Sequence, residues 1–331
     1  MFTSTIIALF VLTNEATAFG GSSMAPSFPL WLSQHNKTYP SATEHDYRHS
    51  IYINNVHKIR AHNRAGLNWT MAVNQFADLT ATEFAARYIR GGYIGRTGRQ
   101  SVVDYKLLWS EALPTSVDWS TAGAVTPVKD QGQCGSCWAF STTGSTEGAW
   151  FLKNKTLVSL SEQQLVDCST AQGNQGCNGG LMDYGFQYIV SNKGLTGESV
   201  YPYTATGPNK CTAAGKPVYA RLSGFKDVPT GSESALLAAI AQQPVSVAVE
   251  ADQNTFQFYS GGVMTAACGS NLDHGVLAVG YGTLGGKDYY KVKNSWGASW
   301  GEKGYIMLGR GPTFGSNGQC GIQMDPSYPV V

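Results

Sequence analysis

The sequence predicts an α+β fold in which a helical half precedes a β half, with a separate helical segment in front of both. Three observations carry this. A mixed stripe of isoleucine, charged and Asn residues recurs at helical spacing within 28–64, and an apolar pattern suggests a helix from 136 to 153. Beyond residue 217, short β-branched and aromatic runs punctuated by Gly take over. All seven cysteines lie after residue 133, so the first third of the chain has no covalent staple of its own.

The bulk numbers set the frame. The chain has 331 residues, 42% hydrophobic and 14% charged, with net charge +1. This is an ordinary globular composition, with room for one two-lobed domain or two smaller ones. No basic run stands out and the charge balance is near zero, which argues against nucleic acid as a partner. The low charge, 39 glycines and 17 tyrosines suit a secreted, loop-rich protein. Up to residue 112 there are ten Lys/Arg against seven Asp/Glu; after it, thirteen against fifteen. The two parts therefore carry opposite net charge, which favours docking.

In chain order, residues 1–18 read as a signal peptide. Ile6 to Leu12 form an apolar core and Ala16-Thr17-Ala18 a small-residue cleavage site, although no Lys or Arg precedes them. No other segment approaches the ~18–20 apolar residues that cross a bilayer, so entry into the secretory pathway without stable membrane insertion is expected. Three sequons, at Asn36, Asn68 and Asn154, fit that route.

Within 28–64, Glu44, Arg48, Ile51, Asn55, Ile59 and Asn63 recur at spacings of three and four and share one helix face. Polar and charged residues on a stripe with isoleucine are unusual for a plain amphipathic helix; a surface helix with polar edges is the simplest account. Residues 91–101 are rich in Gly and Arg and read as a flexible linker open to proteolysis. From 136 to 153, Trp138, Ala139, Phe140, Ala149, Trp150 and Leu152 predict a long buried helix with Cys137 in its first turn. Residues 160–167 and 180–190 read as two short helices. The runs 245–249, 275–280, 289–293 and 305–308 read as strands, with His274 at the start of one.

Cys137 and His274 carry the chemistry. Five of the six histidines (His35, His45, His49, His57 and His62) fall before residue 65, so His274 is the sole imidazole of the last two-thirds. A thiol at a helix N-terminus faces unpaired N–H groups and the positive end of the helix dipole, and an imidazole nearby favours thiolate further. The two lie in different halves and would meet across the seam, a common place for a binding site. An attacked carbonyl needs donors for its developing oxyanion. The Cys137 backbone N–H and the Gln131 side-chain amide are the candidates, one such donor being worth about 3–4 kcal/mol. Asn294 can accept from one ring nitrogen of His274, and Trp296 can shield that bond from water. Cys134 and Cys137 could instead be a redox dithiol or half a zinc site. The first would leave five cysteines over and the second lacks another C-x-x-C. Cys137 could also be a buried structural thiol, a reading that Gln131, Trp138, His274 and Asn294 together disfavour.

These residues resemble the papain/cathepsin cysteine proteases, within them the cathepsin-L-like branch. The motifs are Gln131 to Trp138, Gly176-Cys177-Asn178-Gly179-Gly180, Leu272-Asp273-His274-Gly275 and Asn294-Ser295-Trp296-Gly297, in that family's Cys, His, Asn order. The resemblance covers nearly all of 28–331. The stripe from Glu44 to Asn63 is similar to the branch's inhibitory prosegment, with Tyr52 where phenylalanine is usual. Ala72-x-Asn74-x-Phe76-x-Asp78 is similar to a second prosegment motif, with Ala for its first Gly.

The resemblance implies a papain-like two-lobed fold, with a helical left lobe and a β-barrel-like right lobe, preceded by a helical inhibitory prodomain. It implies a signal peptide at 1–18, a propeptide at 19–112 with a linker at about 91–112, and a mature protease at 113–331. It implies catalytic Cys137, His274, Asn294 and Gln131. It also implies disulfides Cys134–Cys177, Cys168–Cys211 and Cys268–Cys320, leaving Cys137 free. Substrate would contact Gly180, Leu181, Met182, Ala248, Leu272, Asp273, Trp296 and Asp325. Of these, Leu181, Met182, Ala248 and Leu272 line the pocket for the residue two before the cut (P2). Asp325 at that pocket's floor would admit Arg or Lys beside apolar side chains; an exposed aspartate in a turn before Pro326 is the alternative. No second histidine serves a dipeptidase mode, so an endopeptidase is expected. Polypeptide substrates, the chain's own propeptide and cystatin-type inhibitors are the implied partners; no cofactor or metal is needed, and a monomer in a lysosome, an acidic vacuole or outside the cell is expected. The five early histidines suggest acid loosening of the prosegment, with solvated helix faces as the plainer account. A non-catalytic peptide-binding relative would lack one of the key groups, and none is missing.

Overall fold

The computed structural model describes residues 25–89, 91–95 and 112–331. The signal-peptide reading and residues 96–101 of the Gly- and Arg-rich stretch lie outside them. Among the described residues no helix is long and apolar enough to cross a membrane.

The N-terminal segment is built on α1 (Phe28–Gln34) and the long α2 (Ala42–Arg64). Ser41 caps α2 by accepting the Glu44 N–H, and Glu44 sits in the first turn where the helix dipole favours an anion. The polar stripe of α2 faces the protein interior. Arg48 Nε donates to Glu44 at 2.7 Å, its guanidinium pairs Glu83 at 2.9 Å, and it also donates to the Asp78 carbonyl at 3.0 Å. Asn55 satisfies the carbonyls of Ala77 and Leu79, each at 2.9 Å. Asn63 clips the backbone of Met71 from both sides. These side chains terminate loop backbone that would otherwise be buried unpaired, which is why the stripe is not simply apolar. His45, His49 and His57 are exposed, whereas His35 is half-buried, and desolvation and the nearby Lys37 hold its pKa down.

The segment then docks onto the rest of the chain. Strand β1 (Trp69–Met71) pairs antiparallel with β5 (Tyr259–Met264). A short helix α3 (Ala81–Phe84), closed by a Thr80–Glu83 capping box, widens into a π-type turn over Ala85–Ile89.

The first lobe holds α4 (Cys137–Asn154), α5 (Glu162–Cys168) and α6 (Met182–Ser191), close to the sequence prediction. The second lobe is a sheet whose described strands run β1-β5-β8-β7-β6-β4-β9-β3, with β2 (Val117–Asp118) also on β6. The members not yet placed are β3 (Gly224–Asp227), β4 (Val245–Val249), β6 (His274–Leu284), β7 (Lys287–Lys293), β8 (Tyr305–Gly309) and β9 (Ser327–Val330). Only β5–β8 is a parallel pairing among them. This lobe also contains a helix, α7 (Glu233–Gln242), capped by Ser232; its Ala-Leu-Leu-Ala-Ala-Ile stretch is strongly helix-forming.

Helix α4 is the seam. Its Gly144 faces Leu277 so closely that a Cβ would lie 2.8 Å from Leu277 Cδ2. Ser141 Oγ donates to the Val276 carbonyl at 2.7 Å, and Ser246 Oγ donates back to Ser141 O at 3.0 Å. Disulfides Cys134–Cys177, Cys168–Cys211 and Cys268–Cys320 close the chain, and Cys137 is the free thiol. The fold is thus the two-lobed α+β arrangement with a helical prodomain.

Candidate active site

Cys137 is the first residue of α4 and His274 the first of β6, so the rigid seam between lobes positions both. Sulfur and ring are both fully buried, at 0% exposure. The Gly275 N–H donates to Cys137 Sγ at 3.2 Å, which brings the start of β6 against the sulfur. His274 Nε2 lies 2.8 Å from Asn294 Oδ1, while Nδ1 has no partner. The acceptor on Nε2 fixes the tautomer that leaves Nδ1 free to take a proton. The Trp296 indole stacks on the imidazole at 4.7 Å and 27°, covering the bond to Asn294. Gln131 is held by two anchors: its Oε1 accepts from Ser295 Oγ at 2.6 Å, and its Nε2 donates to Cys134 O at 3.0 Å.

Sequence reasoning missed two supporting groups. The Tyr203 hydroxyl donates to Gln131 O at 2.8 Å and sits 2.5 Å from Ser136 Oγ, tying together the two segments that carry the candidate oxyanion donors. Gly275 lends its N–H to the sulfur. Gly275 could have been suspected from its place beside His274; nothing local marks Tyr203.

The prosegment fills the cleft. The carbonyl of Tyr88 approaches Gln131 Nε2 at 3.4 Å, where a substrate oxyanion would sit. Gly92 lies on the sulfur: a Cβ there would be 2.7 Å from Cys137 Sγ. Gly180 N–H donates to Gly92 O at 3.3 Å, Ile94 N–H to Gly180 O at 3.2 Å, and Tyr93 N–H to Asp273 O at 3.2 Å. The Tyr93–Gly180 pairing is parallel. Gly91–Gly95 is therefore an ordered segment in the cleft, bridged to Gly180 at Tyr93. That corrects the flexible-linker expectation for its first residues, because the glycines there serve close approach rather than freedom. Gly179 makes the same point from the other wall, since a Cβ on it would clash with Gly91 O.

Of the expected substrate contacts, Gly180 and Asp273 meet the prosegment backbone. Leu181, Met182 and Ala248 share a buried cluster with Tyr93, and Leu272 packs against it. Asp325 is 9% exposed and accepts from the Tyr93 hydroxyl, which overturns the alternative of an exposed turn aspartate. Trp296 sits apart from this pocket. It docks the prosegment, with Phe76 and Phe84 edge-on at 5.8 and 5.3 Å and Gln75 donating to its carbonyl at 2.8 Å.

Burial dominates the electrostatics of this covered state. Burial pushes the Cys137 thiol up to about 12, against the Gly275 N–H that pulls it down. Burial also holds His274 at about 4, against the Asn294 bond. Burial thus favours the neutral thiol and the neutral ring in the covered state, because the prosegment excludes water that would solvate an ion pair.

Comparison with known proteins gives the same picture. Residues 113–330 match the model of the papain family cysteine proteases, and 28–84 the cathepsin propeptide inhibitor domain. A senescence-specific cysteine protease of Oryza sativa subsp. indica is 45% identical over 330 residues, covering 99% of this chain and 95% of the relative. The cysteine endopeptidase RepA of Oryza sativa subsp. japonica is 48% identical, over 96% of this chain and 88% of the relative. A recombinant stem bromelain precursor superposes with TM-score 0.84 at 40% identity, covering 92% and 97% of the two chains. Digestive procathepsin L 3 of Tenebrio molitor gives 0.80 at 41%, with the same coverage.

Proposed function

The chain belongs to the papain family of cysteine proteases and is made as a zymogen with its own inhibitory propeptide, and on that premise we propose that Cys137 is the nucleophile, His274 its base, Asn294 the group that orients the ring, and Gln131 with the Cys137 N–H the oxyanion hole. The free thiol at the start of α4, held against the N–H that follows the lone mature-domain histidine, carries the assignment. Once the prosegment leaves, water returns, the helix N-terminus and imidazole favour thiolate, and the sulfur attacks the peptide carbonyl. The oxyanion collapses as His274 protonates the leaving amine, and water then hydrolyses the acyl-enzyme with His274 as base.

The proposed segmentation is a signal peptide at 1–18, a propeptide from 19 to 112 and a mature enzyme from Leu113. The first residues of the expected linker are reassigned to the inhibitory segment. The chain enters the secretory pathway, as three disulfides befit, and the working compartment is an acidic vacuole or lysosome, or the extracellular space. The mature enzyme acts as a monomeric endopeptidase open to cystatin-type inhibitors. Acid drives removal of the prosegment. At P2 the pocket of Leu181, Met182, Ala248 and Leu272 takes apolar side chains, and Asp325 at its floor admits Arg or Lys through an ion pair.

Labelling with an epoxide thiol probe after acid incubation tests the assignment. An adduct on Cys137, appearing with the loss of residues 19–112 and absent in Cys137→Ser and His274→Ala, is expected. An adduct elsewhere, or one that survives His274→Ala at the native rate, refutes it.

A further inference from the structure

The prosegment's own side chain reports what the P2 pocket recognises. Tyr93 is buried in it, and the hydroxyl at its far end donates to Asp325 Oδ2. Its backbone uses Asp273 O and pairs with Gly180, the groups proposed to hold a substrate at the same point. Its neighbour Gly92 lies on the nucleophilic sulfur. The chain direction is set by the parallel pairing with Gly180, but the side chain enters the pocket regardless of that direction. The walls are apolar: Leu181, Met182 and Ala248 lie in the same buried cluster, with Leu272 against it. An aromatic ring therefore fills the pocket and one polar group remains at its end. That group is a carboxyl with a fixed place, because Asp325 is nearly fully buried between Met324 and Pro326 at the head of β9.

We infer that the mature enzyme selects tyrosine at P2, reading its phenolic hydroxyl through Asp325 and discriminating against phenylalanine. A phenylalanine ring makes the same apolar contacts but lacks the hydroxyl that donates to Asp325. Sites that bind a hydroxyl penalise the analogue lacking it far more than apolar pockets penalise a missing methylene. A hydrogen bond from a neutral donor to a carboxylate supports roughly tenfold discrimination or more in kcat/KM. This specificity rests on the proposed catalytic assignment and sharpens its P2 statement. The same oxygen serves a P2 arginine by charge and a P2 tyrosine by hydrogen bond.

The test uses the enzyme matured from the full zymogen and reporter peptides that differ only at P2. Tyr-Arg is expected to exceed Phe-Arg in kcat/KM by about tenfold, and Asp325→Ala to collapse that ratio toward one, whatever the absolute rates. Equal native rates on the two peptides, or a ratio that survives Asp325→Ala, overturn the inference. Because Asp325 is buried and its variant can fail to fold, a second measurement uses only the native enzyme. Peptides spanning 88–95 are compared as inhibitors, with Tyr93→Phe expected to weaken inhibition by a similar factor; unchanged inhibition also overturns the inference. If Phe-Arg and Arg-Arg are cleaved while Tyr and Phe are not distinguished, only the tyrosine reading falls. If no reporter is cleaved, or P2 identity has no effect, the catalytic and pocket assignment falls and this inference with it.

Discussion

Replacing Gly92 by alanine adds one methyl group at the point where the prosegment crosses the nucleophile. The new Cβ would lie 2.7 Å from Cys137 Sγ, 3.0 Å from Ile89 O and 3.4 Å from Asp273 O. None of these can yield cheaply. The sulfur is buried at the head of α4 and accepts from Gly275 N–H, and the other two are backbone carbonyls. Gly92 is not among the residues of positive φ, so alanine costs nothing in backbone strain and the contact alone decides. Overpacking a tight site costs about 1–3 kcal/mol, and the chain's easiest response is to lift the prosegment off the cleft. Its grip should weaken by about 5- to 150-fold. The assay is the rate at which the thiol of the intact zymogen reacts with an epoxide probe at neutral pH, before any processing. Gly92→Ala is expected to raise that rate by such a factor, while Gly224→Ala, at the start of β3 with open space around it and no positive φ, leaves it unchanged. Equal labelling of Gly92→Ala and the native zymogen refutes the claim that this glycine seals the sulfur by contact.

Asn294→Ala removes the acceptor on His274 Nε2 at 2.8 Å; a lost orienting bond of about 1.5–3 kcal/mol should lower kcat about 10- to 150-fold with little change in KM, as steady-state kinetics on the mature enzyme will read. Tyr203→Phe cuts the tie between Gln131 O and Ser136 Oγ; kcat and the affinity for a peptide aldehyde, which mimics the tetrahedral adduct, should fall together while substrate KM holds, and unchanged aldehyde affinity would show the tie to be only structural. Glu198 is held up to about 7, chiefly by burial and also by the nearby carboxylate of Glu162. A raised carboxyl stabilises the fold fully below its unfolded pKa of 4.5 and loses that contribution as pH rises through 7. After allowance for solvent screening this is about 1–2 kcal/mol, so Glu198→Gln should flatten the decline in denaturant midpoint of the mature enzyme between those pH values.

Much of the site was legible from residue types. One histidine after residue 65 and an odd cysteine count left little choice of partners, and helix-start and strand-start positions followed from apolar periodicity. The helices at 137–154 and 182–191 and the strands at 245–249 and 305–309 fall within a residue or two of expectation. What could not be read is what depends on contact across long sequence separations. Gly91 and Gly92 look like linker glycines in isolation; their close contacts, and the burial of Gly92, exist only because Asn178, Gly179 and Cys137 lie opposite. Tyr93 carries no local mark of its meeting with Asp325, 232 residues away. Strand β1 is three residues long and pairs because β5 offers it an edge. The desolvation that opposes a thiolate in the covered form was not readable either, because helix dipoles are local whereas cover by a docked segment is not.

Two groups at the cleft, the fully buried His274 and the partly buried Asp273, set opposite pH trends for the covered state, and their balance can be measured. His274 is held at about 4 against an ordinary 6.5, so the covered form resists protonating it. Its contribution is present above 6.5 and lost as pH falls through 4, which means acid favours lifting of the prosegment. Asp273 is pushed up to about 7 from 3.8, first by burial and further by Asp252 and Glu250. Its contribution has the reverse sign: present below 3.8 and lost as pH rises through 7. Over one window, then, His274 opens the zymogen on acidification and Asp273 resists. Asp252 and Glu250 stay with the mature domain when the prosegment leaves, so that part of the Asp273 shift does not change on opening. Asp273→Asn removes the opposing trend and should steepen acid opening. The measurement is hydrogen exchange of 89–95, corrected for intrinsic rates, in a Cys137→Ser zymogen that cannot process itself. The ratio of opening at pH 4 to that at pH 7 should be larger with Asp273→Asn than without it. A ratio that stays the same or shrinks would mean that Asp273 does not oppose the histidine, and that the trigger for acid release lies elsewhere along the prosegment.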